Sequence, residues 1–539
     1  MKLSLIHILI LSAFLLLFNS GKWGVLETSE ARYAEISREM LVDNDFIHPS
    51  LLEIHHYHKP PVTYYITVLG YKIFGVNAFG ARFFLQIAIL IQLILLYKIS
   101  LLLFNDKSLA ITAVLIYFSL PLILISSRNL TTDAYLNTFI LASVYFWLNY
   151  KIKGHKPIVL YLFYLFLGLI FETKGPVGLI FPLFFIVGYK LIYKEKTENK
   201  IHQFLGFILF LTISIAWYIA LIIDKPELWD YFINHQLKDR MVSNSFNRSK
   251  PIWYYLLTIP LLAMPWFIIL MVQLKTKFSR IIKEQKITLV LYVNILAILI
   301  LFSVFKTKLI FYVMPMFGLI AILTAKMLVE TSQKSLHIYN KILIGLGVLF
   351  LIAILIVNAI GLEYYFNFYH AIALTVSAII AFILILKYQS GYLKTASLSY
   401  LLGALLLLGG NGVLAQNEDL MNSTKPAIDY IDNNLTDIKN ILVYDYLMPS
   451  VKFNSNKTVI TLNNGHNTVE RETQFETDMN WKDHLLDLRT ELGRQKTDSL
   501  LQAKSILISR KKENLPDFLE YLNQAPYHKK EFGNWVIYY

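Results

Sequence analysis

The sequence predicts a polytopic α-helical membrane protein with a small soluble α/β domain at its C-terminal end. Three observations carry that fold class. Of 539 residues, 56% are hydrophobic and 16% charged, where a soluble globular domain carries about 25% charged residues. The apolar residues gather in repeated runs of roughly 20, the length a helix needs to cross the hydrocarbon core. Charge is also uneven along the chain. Residues 418–539 hold 18 acidic and 15 basic residues, which leaves 19 of the 37 acidic and 35 of the 50 basic residues before them. A basic membrane domain over 1–416 and a mildly acidic domain over 417–539 follow. The lack of cysteine excludes a disulfide scaffold, and sparse Gly (23) and Pro (16) with 14% aromatics exclude disorder. The net charge of +13 is therefore read against a lipid bilayer and not against nucleic acid.

Thirteen spans are placed at about 3–20, 81–97, 109–127, 134–149, 157–171, 176–193, 203–223, 252–274, 287–304, 309–325, 342–360, 371–386 and 396–415. The first begins like a signal peptide, with Lys2 before an apolar run. It lacks a small-residue cleavage site, and Asn19-Ser20-Gly21-Lys22 leads into a polar loop, so it reads as retained. Lys and Arg alternate by loop: Lys98 and Lys107; Lys151, Lys153 and Lys156; Lys190 to Lys200; Lys275 to Lys286. Positive loops face the cytoplasm, so the N-terminus is expected inside and the tail outside.

Three outer segments are longer than connectors: 22–80, 224–251 and the tail. Thr28 to Asp45 reads as an amphipathic interfacial helix with Ser29 as N-cap, and Val62 to Phe74 as a second. These loops hold Glu27, Glu30, Arg32, the His55-His56-Tyr57-His58-Lys59 run, Arg128, Asp133, Glu172, Lys174, His235, Lys238, Arg240, Lys306 and Lys308. Cations at the outer helix ends of a positive-inside protein have two readings. Each snorkels to lipid headgroups, or together they bind an anion such as a lipid phosphate. Glu30 or Glu27 is a dipole-favoured acid or a general base. Asp133, after Thr131-Thr132, is a helix cap or a functional acid. The His55–His58 run, with His235 from another loop, is dense enough to hold a divalent ion, although no diagnostic metal spacing is present.

In the tail, 441–445, 458–462, 505–509 and 534–539 read as buried strands, and 426–433, 481–502 and 515–523 as helices. Their alternation predicts an α/β domain that packs or orients an acceptor.

Several blocks carry a resemblance. Glu27-Thr-Ser-Glu-Ala-Arg-Tyr-Ala-Glu-Ile-Ser-Arg-Glu-Met40, His58-Lys59-Pro60-Pro61, Phe74 through Arg82 and Thr131-Thr132-Asp133 come first. Thr173-Lys174-Gly175-Pro176, His235-Gln236, Trp253-Tyr254-Tyr255, Pro265-Trp266 and Lys306-Thr307-Lys308 follow in order. The set resembles the bacterial aminoarabinose lipid A transferases, which belong with the protein O-mannosyltransferases to the GT-C glycosyltransferase superfamily. The resemblance implies sugar transfer, with inversion, from undecaprenyl phosphate to lipid A or another glycolipid at the outer face of the bacterial inner membrane. A protein acceptor within the superfamily is the close alternative. A lipid or oligosaccharide transporter is the rival from another class, disfavoured because the polar groups gather at one surface and not at the midplane.

Residue by residue, the resemblance implies that Lys59 faces the donor phosphate, helped by Arg32 and Arg240, with Lys174 and Lys306 in the same outer cation set. It gives Asp133 and Glu30 or Glu27 as acids. It gives His58 and His235 as ligands of a divalent ion, zinc or magnesium/manganese. Two departures stand out. Ser29-Glu30 replaces the family's Asp-Glu, and His58 replaces a frequent Glu. An ionised phosphate acceptor would make the missing acid unnecessary, because it needs no deprotonation.

Overall fold

The computed structural model describes residues 3–194, 200–232, 249–357, 364–476 and 480–539. The chain divides into two compact units: Met1–Phe18, Leu85–Ile360 and Phe366–Gly410 in the first, Asn19–Phe84, Gly361–Tyr365 and Asn411–Tyr539 in the second. The first outer loop thus shares a unit with the tail. In chain order the leading helices are α1 (Leu5–Leu17), α2 (Ser29–Val42), α3 (Val62–Phe74), α4 (Ala78–Phe104) and α5 (Lys107–Ser119). Then come α6 (Pro121–Ser126), α7 (Thr132–Lys153), α8 (Pro157–Lys174), α9 (Ile180–Tyr193) and α10 (Lys200–Asp224).

The first unit is a multi-pass helical membrane fold. Among the described residues eight helices are long and apolar enough to cross a bilayer, and Tyr254–Leu262 with Trp266–Val272, bent by 112°, makes a ninth if counted as one span. The remaining four of the thirteen expected spans coincide with α1, α5, α7 and Met316–Val329. Three of these are only 13, 13 and 14 residues long, about 20 Å at 1.5 Å per residue. Pro121 explains the break after α5: it holds Leu120 extended (ψ 125°). α7 has 22 residues but carries polar groups. Its Asn137 donates to Tyr117 (2.8 Å) and Gln92 (3.1 Å), and Gln92 donates to Thr138 (2.9 Å). This buried network satisfies groups that lipid could not.

The second unit is built on a six-stranded sheet of order β5-β4-β3-β6-β8-β7. Its strands are β3 (Asn440–Tyr444), β4 (Thr458–Asn463), β5 (Leu485–Asp487), β6 (Ser505–Arg510), β7 (Lys529–Phe532) and β8 (Trp535–Tyr538). β3 to β6 pair in parallel, and β8 runs antiparallel to β6 and β7. Parallel strands need both faces covered, which is why they read as continuous apolar runs. Leu442, Leu462 and Leu507 face Leu501 and Leu519. Ile441, Val443, Ile506 and Ile508 face Ala427, Ile428 and Ile431 of the helix Lys425–Asn434. The expected helix 481–502 is corrected at its start: β5 occupies Leu485–Asp487, and the helix is Glu491–Gln502, capped by Thr490.

In the first loop, α3 matches its expected bounds. α2 begins at Ser29, so its N-cap is Thr28 and not Ser29 as expected. Between them β1 (Ser50–Leu51) and β2 (Ile54–His55) form a hairpin whose two turn residues, Leu52 and Glu53, both have positive φ (55° and 66°). Such a turn usually takes Asn-Gly. Here Glu39 compensates, accepting from Leu52 N (2.7 Å), Glu53 N (3.2 Å) and Ser50 Oγ (2.6 Å). Ile36 and Met40 of α2 pack with Tyr64 and Val68 of α3 and with Leu447, Val469 and Leu485 of the tail. α3 keeps Tyr65, Leu69 and Ile73 exposed, one stripe at i, i+4 and i+8, as an interfacial helix offers to lipid.

Candidate active site

The Phe74–Arg82 block folds as a joint. Gly75, at φ 78°, ends α3, and Asn77 bridges it to α4 by donating to Phe74 O (2.7 Å) and accepting from Gly80 N (2.8 Å). A Cβ on Gly70 would lie 2.2 Å from Gly80 O, so the two helices meet there backbone to backbone. That approach delivers Arg82 into the loop. Its Nε and Nη2 donate to Glu30 Oε1 (2.8 Å) and Oε2 (2.7 Å), and it also reaches the carbonyls of Ser20, Trp23 and Gly24 (3.0, 3.0 and 2.7 Å). Its guanidinium stacks on Trp23 at 4.8 Å. Glu30, expected as a general base, is instead fully buried with both oxygens committed, Oε2 also accepting from Leu26 N (2.9 Å). Its geometry is that of a buttress.

Glu27, the other expected base, is buried too. Its Oε1 accepts from Ser450 N (2.7 Å), while Oε2 has no hydrogen-bond partner among the described residues. Burial pushes its carboxyl from 4.5 up to about 7, against the Ser450 hydrogen bond and nearby Arg32. Because the folded state holds this proton more tightly than the unfolded chain, its contribution falls as pH rises from 4.5 through 7. The full loss approaches about 3 kcal/mol. Glu27→Gln is therefore expected to be more thermostable than the parent at pH 8 and equal to it near pH 4.5. Thermal unfolding at the two pH values checks this, and an unchanged pH dependence would sink it.

The His run lies beside the tail. His56 Nδ1 is 2.7 Å from Glu472 Oε2, and His58 Nε2 is 3.2 Å from the same atom. The ligand atoms of the three residues all lie within 4.8 Å of one another. Burial pushes both imidazoles down, His58 to about 4. Burial opposes ionisation of Glu472, but His56 and the hydrogen bonds from both imidazoles outweigh it and hold the carboxyl well below its usual range. Two neutral imidazoles and a carboxylate are the donor set of a borderline divalent cation such as zinc. Arg471, ion-paired with Glu472, and Arg32, acting on His56, oppose a cation, so an ion held here must offset their repulsion. The expected partner of His58, His235, lies outside the described residues, as does Arg240.

Lys59 follows directly and is half-buried. Pro60 restricts it to extended backbone, and Pro61 is the N-cap of α3, so Lys59 sits at the N-terminus of a 13-residue helix. Arg32 is half-buried, its Nε without a hydrogen-bond partner among the described residues.

The same unit holds a cleft of about 490 Å³ that neither the charge count nor the motifs revealed. Thr28, Tyr446, Arg510, Lys511, Lys512 and Trp535 line it, with Asn422 and Asn534. The Arg510 guanidinium lies 4.0 Å from the Tyr446 ring centre. Glu513 pairs with Arg510 and Glu531 with Lys511, so the three cations keep the wall net positive.

In the first unit Asp133 does not act as the cap. Thr131 does, accepting from Asp133 N (3.4 Å). Asp133 is buried and ion-paired with Lys174, whose ammonium also lies 4.6 Å from the Tyr312 ring centre. Lys174, expected to bind phosphate, is thus already engaged. Arg128 donates to Gln86 (3.0 Å), and Lys308 is buried on the Lys250 carbonyl (3.0 Å). Lys306 is exposed.

Residues 2–232 match the family model described as dolichyl-phosphate-mannose-protein mannosyltransferase. The chain is 30% identical over 342 residues to undecaprenyl phosphate-alpha-4-amino-4-deoxy-L-arabinose arabinosyl transferase 2 of Proteus mirabilis, covering 62% of each. It is 30% identical over 337 residues to the corresponding transferase of Photorhabdus laumondii, covering 61% of this chain and 60% of that one. The match thus spans about three-fifths of these relatives' length. In fold the chain is similar to crystal structures of ArnT from Cupriavidus metallidurans, bound to undecaprenyl phosphate (TM-score 0.77) and in the apo state (TM-score 0.74). Both are 19% identical, and each comparison covers 99% of this chain and 97% of the other.

Proposed function

We propose, on the premise that this chain belongs to the GT-C glycosyltransferases of the aminoarabinose-transferase and protein-mannosyltransferase type, that it is a membrane transferase. It moves a sugar from an undecaprenyl-phosphate carrier to a phosphorylated glycolipid such as lipid A. The reading places it in a bacterial inner membrane with its N-terminus cytoplasmic and its second unit periplasmic, as the loop lysines favour.

The observation that carries the reading is the turn at Lys59. The leaving group of such a transfer is a lipid phosphate, and charge develops on its bridging oxygen. Lys59 supplies a cation, and the first turn of α3 supplies unbonded N–H groups and the positive end of a helix dipole at the same place. Arg32 on α2 adds a second cation to this unit. Sugar transfer to a hydroxyl would need a base; Glu30 is spent on Arg82, and Glu27 is buried with one oxygen on Ser450 N. An ionised phosphate acceptor attacks without one, which fits Ser29 where the family carries an acid. Glu27→Gln is expected to retain transfer on this reading. Asp133, held by Lys174, remains the carboxylate candidate in the first unit.

The net-positive cleft at Arg510–Lys512 suits the acceptor's phosphorylated head. Arg510→Gln with Lys512→Gln is expected to raise the acceptor KM about tenfold and leave the donor KM unchanged; equal shifts in both would reject the assignment. A divalent ion is assigned to His56, His58 and Glu472, where it would tie the first loop to the tail. Elemental analysis of purified protein should find about one zinc per chain, lost in His56→Ala. Equal metal content in the two proteins would remove the site.

The decisive experiment is mass spectrometry of lipids and surface glycans from a deletion strain. Loss of one sugar from a phosphorylated glycolipid is expected. Intact modification with accumulation of an untransported intermediate would favour a transporter.

A further inference from the structure

A second cavity lies within the first unit, between α7, α8, α9 and α10. It has a volume of about 310 Å³, in the range of ligand pockets. Its back wall is buried and apolar: Trp147, Phe163 and Leu167 are 4%, 4% and 6% exposed. Its mouth is different. Leu183 of α9 and Phe207 of α10 also line it and are 46% and 47% exposed. In a membrane-spanning bundle such a mouth opens sideways, into lipid.

One end of the cavity is polar. Lys151, in the last turn of α7, and Lys190, in the last turn of α9, both line it, together with Gln203 near the start of α10. The Tyr164 hydroxyl donates to Gln203 Oε1 (2.7 Å), which marks the same level as polar. Lys153, Lys156, Lys194 and Lys200 flank these helix ends in sequence. Lys151 lies 18 positions along α7 from Asp133, about 27 Å at 1.5 Å per residue. That is close to the thickness of a hydrocarbon core. The lysine end therefore stands at headgroup depth on the face opposite the Asp133–Lys174 pair.

We infer that this cavity is a binding site for an anionic glycerophospholipid. One acyl chain enters between Leu183 and Phe207 and lies on Phe163 and Leu167, and the phosphate sits between Lys151 and Lys190. Charge complementarity selects the occupant: an apolar slot alone takes any acyl chain, but two ammonium groups at its headgroup end favour a net negative head over a zwitterion. The site does not depend on the transferase reading, because none of its lining residues belongs to the proposed chemistry.

Native mass spectrometry of the full chain in detergent tests it, with phosphatidylglycerol, phosphatidylcholine of identical acyl chains, and undecaprenyl phosphate as probes. Phosphatidylglycerol is expected to be retained about tenfold over phosphatidylcholine. Lys151→Gln with Lys190→Gln removes that preference, whereas Lys153→Gln, a lysine at the same end outside the cavity lining, keeps it. Leu183→Trp, which crowds the mouth, lowers retention of both phospholipids. Equal retention of the two by the parent protein, or a preference surviving the double substitution, overturns the site. Loss of undecaprenyl phosphate retention, and not of phosphatidylglycerol retention, on the double substitution overturns the choice of occupant. Should the double variant fail to fold, phosphatidylglycerol with a photoreactive acyl chain is used on the parent. Crosslinks to the peptides holding Phe163 and Phe207 support the site, and crosslinks only elsewhere overturn it.

Discussion

Replacing Arg82 by Met is expected to cost roughly 3–5 kcal/mol, because it leaves Glu30 as an uncompensated buried charge. Arg82 is itself fully buried and engages both Glu30 oxygens and three backbone carbonyls, so the loss has two parts. One is the stranded carboxylate; the other is three acceptors with no replacement donor. The double variant Arg82→Met with Glu30→Leu removes the charge problem but not the carbonyl problem, and it should recover most of the loss. Arg82→Lys keeps a charge but not the planar fork, and should fall between. Thermal unfolding followed by size-exclusion chromatography measures all three. A single Arg82→Met variant within about 1 kcal/mol of the parent would show that the pair does not hold the loop.

Lys59→Met is expected to lower the turnover of sugar transfer about 10²- to 10³-fold, the usual effect of removing one charge-stabilising donor from a transition state. Thermal unfolding is measured beside turnover, so that packing lost with this half-buried side chain is separated from the chemistry. Lys59→Arg should recover part of the rate, since a cation remains at the α3 N-terminus while its reach differs. The assay is transfer from an undecaprenyl-phosphate sugar by purified protein. A turnover within threefold of the parent in Lys59→Met would separate this lysine from the leaving phosphate.

Much of the fold was legible because its signals are local. The bounds of α3 and the central strands β3, β4 and β6 follow from apolar periodicity. β7 was not legible: Lys529, Lys530 and Glu531 are exposed on a sheet edge, and edge strands carry charge to block further pairing. β5 was absorbed into the helix after it, because three residues give too short a run to show a period.

The site was legible only in part. His56 and His58 stand two apart, at the turn that follows β2, and that closeness was available in the sequence. Glu472 was not, lying 416 positions from His56. The partners of Glu30 and Glu27 were out of reach for the same reason. A carboxylate near a motif looks reactive until its distant partners, Arg82 and Ser450, are known. The cleft at Arg510–Lys512 had a run of three basic residues as its signal, but the facing Tyr446 and Trp535 come from other strands and turns.

The hydrogen bond between Glu27 and Ser450 closes over 423 positions, and that separation sets a schedule for the newborn chain. At a synthesis rate of about 5–20 residues per second, the first loop waits roughly 20–85 s before Ser450 is made. For nearly all of that interval Glu27, His56 and the apolar faces of α2 and α3 lack their tail partners. A ribosome stalled anywhere in the intervening spans would leave this loop exposed to proteases for as long as the stall lasts. The second unit is therefore the last part of the molecule to mature, although its first residues are among the earliest synthesised.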